Sequence, residues 1–206
     1  MESFKIEDRI NAWSIIKNEN FTSLPISPYH FINKYGFSLM TYEQYSKINN
    51  MTTDEISLNH DKDGFVLLEN KKYTIIFNSK MPNSRINWTI MNLVCHILLN
   101  NLNENTTMIL RNPSKREDFH IKADSLAARL LCPSVVLHMC CVQSSEEISS
   151  LCNISKKAAE IRFEHLKDLR KRNKFLSSND EQKIILQFAP FICSYLCKKF
   201  DSSNNI

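Results

Sequence analysis

The feature that most constrains this chain is its scarcity of glycine. The sequence of 206 residues contains two glycines, Gly36 and Gly64, where average usage of about 7% would give roughly fourteen. Phosphate-binding loops, dinucleotide-binding turns and the nucleophile elbow of α/β-hydrolases each need two or three glycines within a few residues. Because the two glycines lie far apart in the chain, the sequence excludes these three kinds of site.

The composition is that of an ordinary globular chain, with 43% hydrophobic and 23% charged residues and a net charge of +4. This balance is less basic than dedicated nucleic-acid-binding domains usually show. Seven cysteines without a repeated Cys-x-x-Cys motif predict reduced thiols in the cytoplasm, most of them as apolar filler. The N-terminus carries acids and no apolar run, and the most apolar segment, 90–99, contains Asn92 and His96. We therefore expect neither a signal peptide nor a membrane span.

Hydrophobic periodicity predicts an α+β fold, with a small sheet early in the chain and helices after residue 84. We expect Gly36 to end the second helix, Ser84 to cap the central one, and a four-residue turn to join two strands of a hairpin. The polar segment 43–63 predicts a helix or a loop. The predicted helices are 6–19, 28–34, 84–99, 116–131, 134–141, 144–152, 155–175 and 180–199, and the strands are 37–41, 64–68 and 73–77.

Two patterns resemble metal sites but predict ordinary structure. Residues 59–64 imitate the start of a calcium loop, but Asn70 stands where that loop needs a bidentate glutamate, so a tight polar turn is favoured. Cys193 and Cys197 lie one helical turn apart without a second pair of ligands. Core packing is favoured for them over metal binding.

Residues 145–162 have the pattern of a helix-turn-helix, in which Ser155 would cap the second helix. That helix offers lysines and an arginine, but Glu160 and Glu164 interrupt its basic face, which is unfavourable next to phosphates. The pattern favours a structural or protein-binding role for the segment. DNA contact remains the alternative.

Asn92 and His96 lie at positions i and i+4 of the predicted helix 84–99 and so project from one face. This is the spacing at which an H-E-x-x-H helix places two zinc-binding histidines around a catalytic glutamate. Taken alone, a single histidine on an apolar helix is most often a core residue.

The neighbouring motifs add to this pattern. A strand reads Y-x-I-x-x-N at 73–78, the next helix begins R-x-x-W-T at 85–89 and continues as N-L-V-C-H at 92–96, and A-D-S-L-A-A-R-L-L-C-P follows at 123–133. In this order the motifs resemble those of the ImmA/IrrE metallopeptidase family of clostridial and phage type, whose zinc motif is H-E-L-G-H. The segments FTSLPISP, EEISSLCNIS, AAEIR and KRNKF are similar to further parts of the family, so the resemblance covers nearly the whole chain.

The departures from the family pattern fall on its chemistry. The resemblance aligns Asn92 with the first zinc histidine, Leu93 with the catalytic glutamate and Cys95 with the motif glycine. It keeps His96 as a metal-binding residue and places His120 at the third ligand, with Asp124 at a supporting polar position. Leu93 cannot take a proton from water, so the resemblance implies no catalytic residue here.

The resemblance implies a zincin-like peptidase core at residues 1–140, followed by a helical region with a helix-turn-helix-like turn at 141–206. It also implies a partner, a helix-turn-helix (XRE-type) repressor of a prophage or mobile element. The leading interpretation is a cytoplasmic pseudopeptidase without metal, which binds or regulates this repressor; the departures favour a protein that is not an enzyme. A second form of this interpretation is also inactive but binds zinc through His96 and His120, with Asn92 or Asp124 assisting. One alternative is a divergent zinc endopeptidase that cleaves the repressor, using His96, His120 and Asn92. The other is a DNA-binding regulator acting through residues 145–172.

Overall fold

The computed structural model describes residues 11–103, 108–110 and 118–203. Its helices and a small mixed sheet confirm the α+β class. The elements in chain order are α1 Ala12–Asn18, α2 Tyr29–Tyr35, β1 Ser38–Thr41, α3 Tyr42–Asn49, α4 Thr53–Asn59, β2 Gly64–Glu69, β3 Lys72–Phe77, α5 Asn83–Leu98, β4 Met108–Leu110, α6 Asp118–Leu131, α7 Ser134–Met139, α8 Ser145–Cys152, α9 Lys156–Lys171 and α10 Asn179–Ser203.

The sheet has the strand order β1-β3-β2-β4. β1 runs parallel to β3, whereas β2 is antiparallel to both β3 and β4. The hairpin of β2 and β3 is longer than the sequence predicts, because Glu69 pairs with Lys72 and only Asn70 and Lys71 remain in the turn. Both turn residues have positive φ, 47° and 61°, which suits the right-handed twist of the strands. The predicted four-residue turn is therefore wrong.

Several local predictions are confirmed and one is wrong. Gly36 ends α2 in the left-handed conformation, with φ of 67°. The polar segment 43–63 contains two helices, α3 and α4, each stabilised by a capping box at its first turn. Ser84 does not cap α5, because this helix already begins at Asn83, after Pro82. Parts of two predicted helices, residues 6–10 and 116–117, lie outside the described residues.

The sheet carries helices on both faces. On one face Phe65, Leu67 and Ile76 pack with Tyr42 of α3 and Ile56 of α4 in a buried cluster. On the other face α5 packs on β2 and β3, and α6 packs on α5. Since alternate residues of a strand point to opposite faces, this accounts for the nearly continuous burial of β2.

Contacts divide the chain into two compact units. One contains residues 27–131 and 153–155, and so holds the sheet with α2 to α6. The other contains the segment up to Ile26, residues 132–152 and the chain from Lys156 onward, and so holds α1 and α7 to α10. The boundary after residue 140 that the sequence suggests stays a prediction. Within the described ranges, no helix is long and apolar enough to cross a membrane.

Candidate functional site on helices α5 and α6

The candidate site lies on α5, which is buried on almost all sides. Every residue from Thr89 to Ile97 is buried, because the sheet covers one side of the helix and α6 packs on it as well. A helix that is covered all round normally carries apolar residues. The polar exceptions Asn92 and His96, which are 1% and 0% exposed, therefore need partners inside the fold.

His96 finds its partner in His120 of α6. The Nε2 atom of His96 lies 3.3 Å from Nδ1 of His120, and the amide nitrogen of Asn101 lies 2.9 Å from Nδ1 of His96. Since an amide nitrogen only donates, Nδ1 of His96 accepts, and Nε2 of a neutral ring then donates to His120. The Phe119 ring lies beside both imidazoles, with its centroid 5.8 Å from that of His96 and 4.2 Å from that of His120. The histidine pair is thus enclosed within the unit.

Asn92 finds its partner in Asp124, also on α6. Its Nδ2 donates to Oδ1 of Asp124 at 2.8 Å. Its Oδ1 is the one buried side-chain oxygen or nitrogen in the described part of the chain that has no hydrogen-bond partner. A buried polar atom without a partner costs about 1–3 kcal/mol. Asn92 therefore links the two helices through its nitrogen, while its oxygen remains a point of instability.

Leu93 occupies the position that the resemblance assigns to the general base, and its side chain is fully buried. A Cβ atom built on Gly64 would lie 3.4 Å from Cδ1 of Leu93, which places this side chain against β2. Cys95, the neighbour of His96, is also fully buried. Burial, and to a smaller extent the charge of Asp124, raises the pKa of the Cys95 thiol well above its usual value. The thiol therefore stays protonated and is a poor metal ligand.

Comparison of the chain with family models, with curated proteins and with solved structures finds no match. The resemblance to the ImmA/IrrE family therefore depends on the sequence motifs alone. The structure adds where those motifs lie: His96 beside His120, and Asn92 beside Asp124. The zincin-like fold and the family stay predictions.

The donor set does not fit a catalytic zinc site. Such sites use three protein ligands, each a histidine, a carboxylate or a thiolate. Over residues 11–103, 108–110 and 118–203, no group of three such side chains is arranged to hold a metal ion. The histidine pair offers two nitrogens, and the third candidate, Asn92, offers only a neutral amide oxygen.

The helix-turn-helix-like segment consists of α8 and α9, which pack against each other. Lys156, Lys157, Glu160 and Glu164 are all exposed on α9. Arg162 instead turns inward: its guanidinium donates to the Cys132 carbonyl at 3.1 and 2.7 Å and to the Ser134 hydroxyl at 2.8 Å. The predicted basic face thus loses its arginine to a structural role.

The calcium-like segment forms a tight polar turn, as predicted. Oδ1 of Asp61 accepts hydrogen bonds from the backbone nitrogens of Asp63 at 2.8 Å and Gly64 at 3.3 Å. Asp63 is held in turn by Arg85 of α5 at 2.7 and 2.9 Å. In the sequence Arg85 stands out only as the first residue of the R-x-x-W-T motif, which does not predict this ion pair. Asn101 belongs to no motif, and its position five residues after His96 is the only sequence signal of its contact.

The cysteine predictions are confirmed in part. Four of the thiols are buried, which agrees with their expected role as apolar filler. Cys193 and Cys197, however, are exposed on α10, so core packing is wrong for this pair. The i, i+4 spacing places them on one face of the helix, and the spacing alone does not say which face is buried.

Proposed function

We propose that this chain is a catalytically inactive pseudopeptidase of the ImmA/IrrE type, which binds a helix-turn-helix repressor of a prophage or mobile element in the cytoplasm. The ordered motifs support the family, and the pairing of α5 with α6 supports a site descended from a zincin-like core. The repressor as partner comes from the resemblance alone.

The observation that carries the proposal is the surroundings of Leu93. This residue stands where a peptidase of this type needs a glutamate, and it is fully buried, with its Cδ1 3.4 Å from the place a Cβ on Gly64 would occupy. General-base catalysis supplies about 10²–10⁴-fold of a typical rate enhancement. A leucine has no group that accepts a proton, so this contribution is absent.

The neighbouring positions are also occupied by structural contacts. Asn92 is hydrogen-bonded to Asp124, and His96 to His120, so the polar groups of the site bind one another across the two helices. Such contacts hold α5 and α6 together. A protein with this site regulates a repressor by binding it, since a ligand that binds one state shifts the equilibrium without any chemical step.

The direct test uses an XRE-type helix-turn-helix repressor from the same genome, bound to its operator DNA. We expect the purified chain to change the occupancy of the operator in a gel-shift assay while the repressor stays intact on a denaturing gel. The zinc content of the purified chain should be below about 0.1 per chain, as expected for a donor set without three ligands. Cleavage of the repressor that a chelator abolishes would overturn the proposal.

The alternative function, a divergent zinc peptidase, is favoured by the distance between the nitrogens of His96 and His120. Two nitrogens bound to one tetrahedral zinc at about 2.0–2.1 Å lie about 3.3–3.4 Å apart, and Nε2 of His96 lies 3.3 Å from Nδ1 of His120. If this alternative holds, the purified chain contains close to one zinc. His120→Ala then loses the zinc, whereas a substitution at an exposed histidine such as His165→Ala keeps it.

Restoring the family motif tests whether the scaffold around the site is retained. We expect the triple variant Asn92→His, Leu93→Glu, Cys95→Gly to bind about one zinc per chain, because two histidines at i and i+4 would then join His120. The matched control keeps Asn92 and carries only the other two substitutions. It should bind no zinc, and it also reports the cost of placing a carboxylate at the buried position 93. A triple variant that folds and binds no zinc would contradict a retained zincin-like scaffold.

The DNA-binding alternative is favoured by the exposed Lys156 and Lys157 at the start of α9. If the segment contacts DNA, affinity for a duplex falls steeply with salt, and the double variant Lys156→Glu, Lys157→Glu removes it. Lys47→Glu, at another exposed lysine, is the control. Absence of binding at low salt would exclude this alternative.

A further inference from the structure

Two buried cysteines that lie far apart in the sequence meet in the fold. Cys132 directly follows α6 and Cys152 is the last residue of α8, so the two lie 20 positions apart in the sequence. Their side chains are hydrogen-bonded to each other, and the two residues are 2% and 0% exposed. Both belong to the same compact unit, where they are the first and last residues of the segment 132–152. The thiol pair therefore closes this segment at its base.

Helix α9 holds both cysteines in place. The Arg162 guanidinium donates to the Cys132 carbonyl at 3.1 and 2.7 Å and to the Ser134 hydroxyl at 2.8 Å. Helix α8, which ends at Cys152, packs against the same α9. Since a disulfide requires two cysteines whose side chains approach each other closely, a pair of thiols already in contact joins with little movement of the backbone.

A third buried thiol, that of Cys140, lies close enough to compete. The hydrogen bond with Cys132 is the largest cause of the raised pKa of the Cys152 thiol, and burial is the second. The charge of Cys140 raises the same pKa by less. The contacts therefore favour Cys132 over Cys140 as the partner of Cys152.

We propose that Cys132 and Cys152 are a modification site, at which a low-molecular-mass disulfide oxidises the two thiols to an intrachain disulfide. The thiolate of one cysteine attacks a sulfur atom of the reagent, so that a mixed disulfide forms and one thiol of the reagent leaves. The other cysteine then attacks the sulfur of the first and releases the second reagent thiol. The reagent thus takes up two electrons and two protons. This inference is independent of the proposed function.

The burial of the pair affects both the stability of the disulfide and the rate at which it forms. A low thiol pKa stabilises the reduced form of a dithiol and makes its disulfide a strong oxidant. A raised pKa acts in the opposite direction, because the disulfide carries no charge that apolar surroundings would disfavour. Oxidation is slow, since the thiolates form only when the segment opens locally, and we expect it to take hours. In the cytoplasm that the sequence predicts, such a disulfide is transient and reports oxidation.

The test starts from a variant in which serine replaces the three exposed cysteines, Cys141, Cys193 and Cys197. This parent variant keeps the four buried thiols. After the native protein is incubated with oxidised glutathione, alkylation in denaturant should count two thiols, a loss of two. Mass spectrometry of the digested protein should find the peptide of Cys132 linked to that of Cys152. Four remaining thiols, or a main product that links Cys140 to either residue, would overturn the proposal.

The same reaction in a urea concentration that unfolds the chain is the control for the geometry. Cys140 lies 8 positions from Cys132 and 12 from Cys152. Because an unfolded chain closes short loops more readily, each of these two pairings should exceed the pairing of Cys132 with Cys152 by about two- to fourfold. A native protein that gives the same mixture of disulfides as the unfolded chain would contradict the contact between the two thiols.

Single substitutions in the parent variant separate the two partners from a third buried cysteine. Cys132→Ala and Cys152→Ala should each slow the formation of an intrachain disulfide at least about tenfold, because the remaining cysteine loses a partner at high effective concentration. Cys95→Ala, at another fully buried cysteine, should lose two thiols at the rate of the parent variant. Equal rates in the three substituted proteins would overturn the proposal. Circular dichroism checks the fold of each, and where one fails to fold, the linked peptide in the parent variant decides.

Discussion

At Gly64 the backbone of β2 approaches its neighbours so closely that a side chain does not fit. A Cβ atom there would lie 2.8 Å from the carbonyl oxygen of Ile76 and 2.9 Å from Cγ2 of Thr89. We expect Gly64→Ala to lower the free energy of unfolding by about 1–3 kcal/mol, since a backbone carbonyl in a strand pair cannot move aside. Urea unfolding measures the change.

Gly36 provides the control for this prediction. It also requires a special conformation, with φ of 67°, but no atom lies within 4 Å of a Cβ built there. Asparagine tolerates the left-handed conformation better than other side chains. Gly36→Asn should therefore cost less than about 1 kcal/mol. A Gly64→Ala variant as stable as Gly36→Asn would contradict the close approach at β2.

His138 makes the unit of α7, α9 and α10 sensitive to pH. Its ring stacks on Phe175 with centroids 4.1 Å apart, and Nε of Arg170 lies 3.4 Å from its Nδ1. Burial, followed by the charge of Arg170, lowers the pKa of His138, and the charge of Glu181 opposes this in part. The folded state thus favours the neutral ring.

The sign of the effect follows from proton linkage. The unfolded chain binds a proton at His138 near pH 6.5, whereas the folded chain binds it at lower pH. The unfolded state therefore holds more protons in between, so this contribution to stability is present above pH 6.5 and is lost as the pH falls through the folded pKa. We expect the free energy of unfolding to fall more steeply as the pH drops below 6.5 for the parent chain than for His138→Gln. Parallel curves would contradict the assignment.

Among the elements, the hairpin of β2 and β3 contains a residue poorly suited to its turn. Lys71 has φ of 61°, a left-handed conformation that costs a non-glycine residue about 1 kcal/mol. In two-residue turns of this kind Asn-Gly is strongly preferred, and Asn70 already occupies the first position. We expect Lys71→Gly to raise the free energy of unfolding by about 0.5–1 kcal/mol in urea.

The adjacent lysine is the matched control. Lys72 is the first residue of β3 and pairs with Glu69. Glycine is unfavourable inside a strand, so Lys72→Gly should lower the free energy of unfolding. If both substitutions change the free energy of unfolding in the same direction, the assignment of Asn70 and Lys71 as the two turn residues is contradicted.

Across the whole molecule, the seven cysteines divide by burial into two classes. Cys141, Cys193 and Cys197 are exposed, and the other four are buried. Burial raises the pKa of Cys140 to about 12, and burial also raises the pKa of Cys95. Reaction with a thiol reagent requires access and the thiolate form.

We therefore expect three thiols per chain to react rapidly under native conditions and four more to react only after unfolding. Titration with a chromogenic disulfide reagent counts both classes. The triple variant Cys141→Ser, Cys193→Ser, Cys197→Ser is the control and should show no rapid phase. A rapid phase of more than three thiols would contradict the burial of the other four cysteines.

The sequence predicted the elements whose signals are local. Gly36 as a helix end, the hairpin of β2 and β3, and the Asp61 turn before Gly64 each depend on neighbouring residues, and each is observed. Ser84 failed as a cap because α5 begins one residue earlier, at Asn83. Boundaries of this kind depend on how the helix packs, which short-range patterns do not report.

For the candidate site, the sequence by itself determined that a general base is absent. Leucine at position 93 cannot accept a proton, whatever its surroundings in the fold. Only the tertiary structure decided that His96 meets His120 and that Asn92 meets Asp124, because these pairs are 24 and 32 residues apart in the chain and local patterns do not report such contacts. It likewise decided that Cys193 and Cys197 face solvent. Helical spacing places residues on a common face, but the packing of the rest of the chain selects which face is buried.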